Sequence, residues 1–180
     1  SAVTRSDNKG PGIRALCVLG LREEGEMREF RWLDSDEQHA WRLYLRASST
    51  LTEALNHDLV EDANISLNEY EVLSQLSEAE GHTMRMSMLA ERLVHSRSRL
   101  THTVRRLESE GLVLRTACED DRRGVNCTLT EQGYEFLVKI APIHVQSVRN
   151  HLVDKLGHEK MLELGELFAQ IIEEDCEETE

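Results

Sequence analysis

Apolar residues return every three or four positions along most of this chain, and the breaks in that rhythm divide it into segments. Trp41, Tyr44, Leu45, Leu51, Leu55 and Leu59 form one stripe, the spacing of an amphipathic helix. It predicts a long helix opening after Asp34–Asp36, whose carboxylates suit a helix N-terminus, and stopping at Asn64. Ser66-Leu-Asn-Glu69 has capping-box spacing and predicts a second helix, with Tyr70, Leu73 and Leu76 inward, that ends near Glu80-Gly81. Ser87 is expected to cap a short helix with Leu89, Ala90, Leu93 and Val94 inward. Ser96 is expected to cap the next, with Leu100, Val104 and Leu107 inward and Gly111 as its stop. The rhythm then changes. Leu112–Ala117 and Val125–Leu129 read as strands around a charged turn, Glu119-Asp-Asp-Arg-Arg-Gly124, which predicts a β-hairpin with a basic tip. Thr130 is expected to cap a long helix through Tyr134, Leu137, Ile140, Val148, Leu152 and Leu156, kinked at Pro142 and stopped at Gly157. Met161, Leu164, Leu167, Phe168, Ile171 and Ile172 mark a final helix.

Two short helices around a tight turn, the second rich in Arg, Ser and Thr, make a helix-turn-helix pattern, and the hairpin after them makes a wing. The expected fold is therefore mainly α with a small β-hairpin wing: a winged helix-turn-helix carried between long N- and C-terminal helices. Residues 34–180 are expected to form one domain, with the helix-turn-helix and wing in a lobe at about 66–130 and long helices at about 34–64 and 131–175. Residues 1–33 look different. Ser6–Gly12 is Gly/Pro/polar, Ala15–Leu21 is a short apolar run, and Met27 is a candidate original start. This stretch reads as an N-terminal extension, partly flexible or added upstream.

The 180 residues are 39% hydrophobic, enough for a core, and no stretch reaches the ~20 apolar residues of a membrane helix. A soluble, cytoplasmic protein with no membrane partner is expected. The net charge of −13 by itself speaks against a polyanionic partner, because phosphate binding needs local positive potential. Its distribution reverses that. Arg92, Arg97, Arg99, Arg105 and Arg106 fall in one stretch without Asp or Glu, whereas His158–Glu180 holds nine acids and one Lys. The four cysteines have no C-x-x-C spacing and in a cytoplasmic protein default to reduced thiols. His144, His151 and His158 repeat every seven residues, which separates neighbours by roughly 10.5 Å at 1.5 Å rise per residue, too far to share one zinc. No metal or cofactor is expected. The sequence has no nucleophile–base motif, phosphate-binding Gly loop or H-E-x-x-H, so an enzyme is not expected.

Leu89-Ala90, Ser96-Arg-Ser-Arg-Leu-Thr101, Val104-x-x-Leu107-Glu-x-x-Gly111-Leu-Val-x-Arg115, Asp121-Arg-Arg123 and Leu129-Thr-x-x-Gly133 occur in that order. Together they resemble the MarR family (multiple antibiotic resistance regulators) across about Asp36 to Ile172. The resemblance implies a homodimeric winged helix-turn-helix regulator domain over 34–180, with a DNA-binding lobe at about 66–130 and dimerisation helices at about 34–64 and 131–175, on a palindromic operator and often released by a small phenolic or by thiol oxidation. It also implies that Asp121 orients an arginine of the wing through a salt bridge.

The residues support a nucleic-acid site in their own right. The start of the second helix of a helix-turn-helix enters the major groove, which nominates Ser96, Arg97, Ser98, Arg99, Thr101, His102 and Thr103. Arginine pairs bidentately with guanine, and Ser, Thr and His make shorter polar contacts. Ser98, Thr101 or His102, and Arg105 share a helix face, while Arg99 or Arg106 could touch phosphate. Arg122 and Arg123 at the wing tip would reach phosphates or the minor groove. If Arg122-Arg123 centres a two-residue turn, Cys118 and Cys127 become cross-strand neighbours and a candidate redox pair; the alternative is two small half-buried residues. An effector pocket would lie where the dimerisation helices meet the DNA-binding lobe, with Trp41, Tyr44, His57 and Tyr70 as candidates for it or for the core. The leading expectation is a homodimeric repressor on a pseudo-palindromic double-stranded operator, with small-molecule or thiol control as its candidate regulation. The alternative is a helical interaction module whose winged helix binds protein.

Overall fold

Asp34 opens the first helix by accepting hydrogen bonds at Oδ1 from the backbone N–H of Asp36 (2.8 Å) and of Glu37 (2.8 Å), and Glu37 Oε2 reaches back to the N–H of Asp34 (2.9 Å). This is a capping box. The chain divides into two units, Ser1–Gln38 and His39–Glu180, and the computed structural model describes residues 31–93, 96–118 and 124–177. The remaining elements all belong to the second unit.

Helix α1 (Ser35–Ala63) ends where Asn64 takes a left-handed φ of 53°, a conformation Asn tolerates at the end of a helix. Asn56 Oδ1 then accepts the N–H of Leu67 (3.0 Å), fixing the start of α2 (Leu67–Glu78) against α1. Ser66 and Glu69 form the expected reciprocal box. A 3₁₀ turn (Glu80–His82) leads into a strand absent from the sequence reading, β1 (Thr83–Arg85). Three residues are too short for alternation to be visible in a sequence. The strand exists because Thr83, Met84 and Arg85 pair with Thr128, Cys127 and Asn126.

Because β1 runs directly into α3 (Met86–Arg92), the N-cap position is Arg85. Ser87 therefore lies inside the first turn instead of capping it. Helix α4 (Arg97–Ser109) is capped as expected, Ser96 Oγ accepting from Arg99 N–H (3.3 Å). Its end is a Schellman motif: Gly111, at φ 76°, donates to Glu108 O (3.0 Å) and Leu112 N–H donates to Leu107 O (3.0 Å). Strands β2 (Val113–Ala117) and β3 (Val125–Leu129) pair antiparallel, and the sheet order is β1-β3-β2.

Thr130 caps α5 (Glu131–Val148) through Gly133 N–H (3.0 Å) while its hydroxyl donates to Gly111 O (2.7 Å). A Cβ on Gly133 would sit 2.0 Å from Leu112 O, so only glycine lets the helix approach the sheet this closely. The expected kink at Pro142 does not interrupt α5, which stays α-helical to Val148; the irregular turn is the π segment Arg149–Val153. A last turn, α6 (Asp154–Leu156), stops at Gly157 (φ 81°) before α7 (His158–Glu177).

The core lies in the lobe from α2 to β3. Val72, Leu73, Leu76, Leu89, Leu100, Val104, Leu107 and Cys127 are buried there with Leu59 of α1 and Leu137 and Ile140 of α5. No described helix is long and apolar enough to cross a membrane.

Candidate nucleic-acid interface

The apolar row Leu100, Val104 and Leu107 seats α4 on the core, and this decides which side chains face outward. Arg97, Ser98, Thr101, His102 and Arg105 share one open face, lining a shallow depression of about 400 Å³. Its groups are two guanidinium forks, an imidazole and two hydroxyls, with no acid among them. The Thr101 hydroxyl donates to Arg97 O (2.7 Å), which leaves its oxygen free to accept. A second depression, about 340 Å³, joins this face to the start of α3 and the turn end of β3, where Arg85 and Ser87 meet Arg97, Thr101 and Val125. Neither Arg85 nor Ser87 is among the contact residues the sequence nominates. Recognising β1 would have brought them in, since the strand carries the chain from α2 to the hairpin and delivers α3 beside α4.

Two residues of the expected site turn elsewhere. Thr103 is buried, and its hydroxyl donates to Arg99 O (3.1 Å) on the side of α4 that faces the core. Arg106 is engaged with the protein: Nε lies 3.0 Å from Glu69 Oε1 and 3.5 Å from Glu110 Oε1, and Nη2 donates to Asn64 O (3.4 Å). Helical geometry puts both positions on the flank facing α2. Arg99 is exposed beside Glu71, whose carboxyl is pushed up by burial and partly restored by the Arg99 charge.

Asp121, Arg122 and Arg123 lie outside the described residues, as does Cys17. The strands below them answer the question of register. Val113 faces Leu129, Arg115 faces Cys127 and Ala117 faces Val125, while Cys118 N–H donates to Gly124 O (3.0 Å). Cys118 and Cys127 are therefore not cross-strand neighbours; the connection is longer than the two-residue turn their pairing required. Both are free thiols. Cys118 Sγ donates to Asn126 Oδ1 (3.0 Å). Burial pushes the Cys127 thiol up to about 12, so it stays protonated and a poor nucleophile at neutral pH. Beside it, Arg115 anchors β2 to α4: Nε donates to Glu108 Oε2 (3.0 Å) and the backbone N–H to Glu108 Oε1 (3.2 Å). These bonds hold the Glu108 carboxyl below its ordinary range.

The candidate pocket residues do not converge. Tyr70 is buried, and its ring packs tilted against His144 at 4.2 Å between ring centroids. His57 is exposed next to Asp58. Trp41 and Tyr44 stack on each other at 5.6 Å on the open face of α1. A groove of about 900 Å³ runs instead along α1, the π segment and α7, lined by Tyr44, Leu51, His151, Leu152 and Phe168 among others. Tyr44 is the one candidate it contains. His151 is tied down at its edge, its Nε2 3.0 Å from Asp58 Oδ2, which also accepts from Ser147 Oγ (2.6 Å).

Helix-turn-helix, three-stranded sheet and outward basic row together define the winged helix-turn-helix class. The MarR family model matches residues 65–125. Among relatives, the HTH-type transcriptional regulator FarR of Neisseria gonorrhoeae is 32% identical over 113 residues, 63% of this chain and 75% of FarR. The transcriptional repressor MprA of Escherichia coli K12 is 32% identical over 56% of this chain and 57% of its own length. Among solved structures, AbsC of Streptomyces coelicolor, a MarR family transcriptional regulator, is 46% identical over 81% of this chain and 97% of its own, with a TM-score of 0.72. Sco3205 of the same organism, a MarR family regulator solved in complex with DNA, is 39% identical over 82% and 92%, with a TM-score of 0.76. The chain belongs to the MarR family of transcriptional regulators, which are non-enzymatic DNA-binding proteins.

Proposed function

We propose that the chain works as a homodimer that lays two α4 helices into successive major grooves of a pseudo-palindromic operator and represses transcription there. The observation that carries this reading is the acid-free row Arg97, Ser98, Thr101, His102 and Arg105 on the open face of α4. It supplies bidentate and single donors of the kind that read base edges. Sco3205, with its bound DNA, and MprA, named a repressor, support the assignment by likeness.

A dimer is supported by what the single chain leaves uncovered. Leu43, Tyr44 and Leu45 of α1 and Leu162, Leu167, Ile171 and Ile172 of α7 are all exposed, a larger apolar surface than a monomer ordinarily leaves in water. A second copy covers this face, including the α1–α7 groove. Two-fold symmetry then sets the half-sites about one DNA turn apart, ~34–36 Å.

Selection of duplexes from a random library, followed by footprinting and sedimentation, tests the proposal. A protected pseudo-palindrome bound by a dimer is expected, with a log–log salt slope of about −0.9 per phosphate contacted. A monomer that enriches no duplex would overturn the proposal, and a salt-insensitive protein partner would favour the interaction-module reading instead.

A further inference from the structure

Glu69 is an acid inside the DNA-binding lobe, its side chain only 4% exposed. Its two oxygens do different work. Oε2 accepts from Ser66 N–H (2.9 Å) and Ser66 Oγ (2.6 Å), closing the capping box of α2. Oε1 faces the other way and holds Arg106 Nε of α4 at 3.0 Å. The same guanidinium donates through Nη2 to Asn64 O, the residue that ends α1 (3.4 Å). Three helices thus meet at one carboxylate and one guanidinium: α1 through the carbonyl of Asn64, α2 through its cap, and α4 through Arg106.

We propose that Glu69 and Arg106 form a joint that sets the rotation of α4 relative to α1 and α2, making both positioning residues for sequence discrimination although neither reads a base. This rests on the DNA reading above. Leu100, Val104 and Leu107 fix how deeply α4 sits, but apolar packing is non-directional and tolerates a rolled helix. Charge-assisted hydrogen bonds from a planar guanidinium are directional. The joint therefore holds the angle at which Arg97, Ser98, Thr101, His102 and Arg105 project. It also connects that angle to the end of α1, a helix of the proposed dimer interface.

The variant Glu69→Gln separates the joint from the cap. Glutamine serves equally at the third position of a capping box, so its carbonyl can still accept from Ser66, while its amide cannot accept from Arg106. Simple electrostatics gives the opposite expectation, because removing an acid from a DNA-binding lobe should strengthen binding to a polyanion. The probes are the duplex selected by the wild-type chain and a scrambled duplex of the same composition, titrated over a series of salt concentrations, with thermal melts of each variant.

For Glu69→Gln the selected duplex should bind about tenfold more weakly, the size of effect typical of coupled sites, with the scrambled duplex and the salt slope unchanged. Arg106→Lys should lower the same ratio, since an ammonium keeps the charge but cannot hold both Glu69 and Asn64 in the fork geometry. The pair should be non-additive in a double-mutant cycle. Three results would overturn the joint. In the first, Glu69→Gln keeps or improves discrimination. In the second, Arg106→Gln shortens the salt slope by about one contact and weakens both duplexes alike, marking Arg106 as a phosphate ligand. In the third, both duplexes weaken in step with a lowered melting temperature, the signature of a purely structural role. If Glu69→Gln does not fold, Arg106→Lys carries the test, because Arg106 is half-exposed. A wild-type chain that enriches no duplex sinks the DNA reading and the joint with it; enrichment by the wild type with full discrimination by both variants sinks the joint alone.

Discussion

The lobe from α2 to β3 and the face made by α1 and α7 are both built from amphipathic helices, yet they dispose of their apolar residues in opposite ways. Leu73, Leu76, Leu100 and Leu107 are buried against one another, whereas Leu43, Leu45, Leu167, Ile171 and Ile172 remain about half exposed or more. The apolar residues of the lobe are covered within the chain, with Leu59 of α1 and Leu137 and Ile140 of α5 among their partners, and those of the outer face are not. The same periodicity means core in one region and an uncovered apolar face in the other.

Truncation in the lobe should have the largest effect. Leu107→Ala removes a fully buried side chain and should cost about 2–5 kcal/mol in a denaturant melt; a cost below about 1 kcal/mol would mean that Leu107 is not closely packed in the lobe core. Polar substitution of the outer face should act differently. Ile171→Lys should leave the stability of a single chain nearly unchanged and shift the protein from dimer to monomer in sedimentation, with operator affinity lost as half-sites uncouple. If the variant stays dimeric at micromolar concentration, the α1–α7 face is not the interface. Arg97→Ala should come next, weakening the selected duplex by about 1–3 kcal/mol in an equilibrium titration. Arg106→Ala serves as its contrast, since its loss should appear as reduced discrimination.

The smallest effect concerns pH, and it arises where α5 packs on the lobe. The His144 ring packs against Tyr70 of the lobe, and burial lowers its pKa from the ordinary 6.5. A depressed imidazole contributes stability that is fully present above the unfolded value and is lost as pH falls toward the folded one, because the unfolded chain takes up the proton first. Asp58, held below the ordinary carboxylate range first by the Ser147 hydrogen bond and then by His151, adds a loss of the same sign further into acid. The melting temperature of the wild type should therefore decline between pH 7 and 5. His144→Phe, which keeps a ring against Tyr70, should flatten that decline, and an unchanged slope would exclude His144 as its source.

Much of the lobe was legible residue by residue. Ser66, Ser96 and Thr130 cap the helices they precede, and Gly111 and Gly157 end theirs at positive φ. Caps and stops depend on atoms within a few residues, so spacing reveals them. The candidate site was legible along one row, Arg97, Ser98, Thr101, His102 and Arg105, and misread on its flank. Thr103 and Arg106 carry the right chemistry for DNA, but one is buried and the other is held by Glu69. Ser87 looks like a cap and is not one, because a three-residue strand ends just before it.

Read alone, the amino-acid sequence determined the order of helices, the presence of a hairpin, the charge partition and the basic row of α4, all of which follow from local periodicity and capping. The tertiary structure alone decided the strand register that separates Cys118 from Cys127, the third strand that brings Arg85 and Ser87 to the same surface, and the joint between Glu69 and Arg106. Each of these depends on groups far apart in the chain meeting in space. Their partners are chosen by core packing and long-range hydrogen bonding, and neither leaves a periodic trace in the sequence.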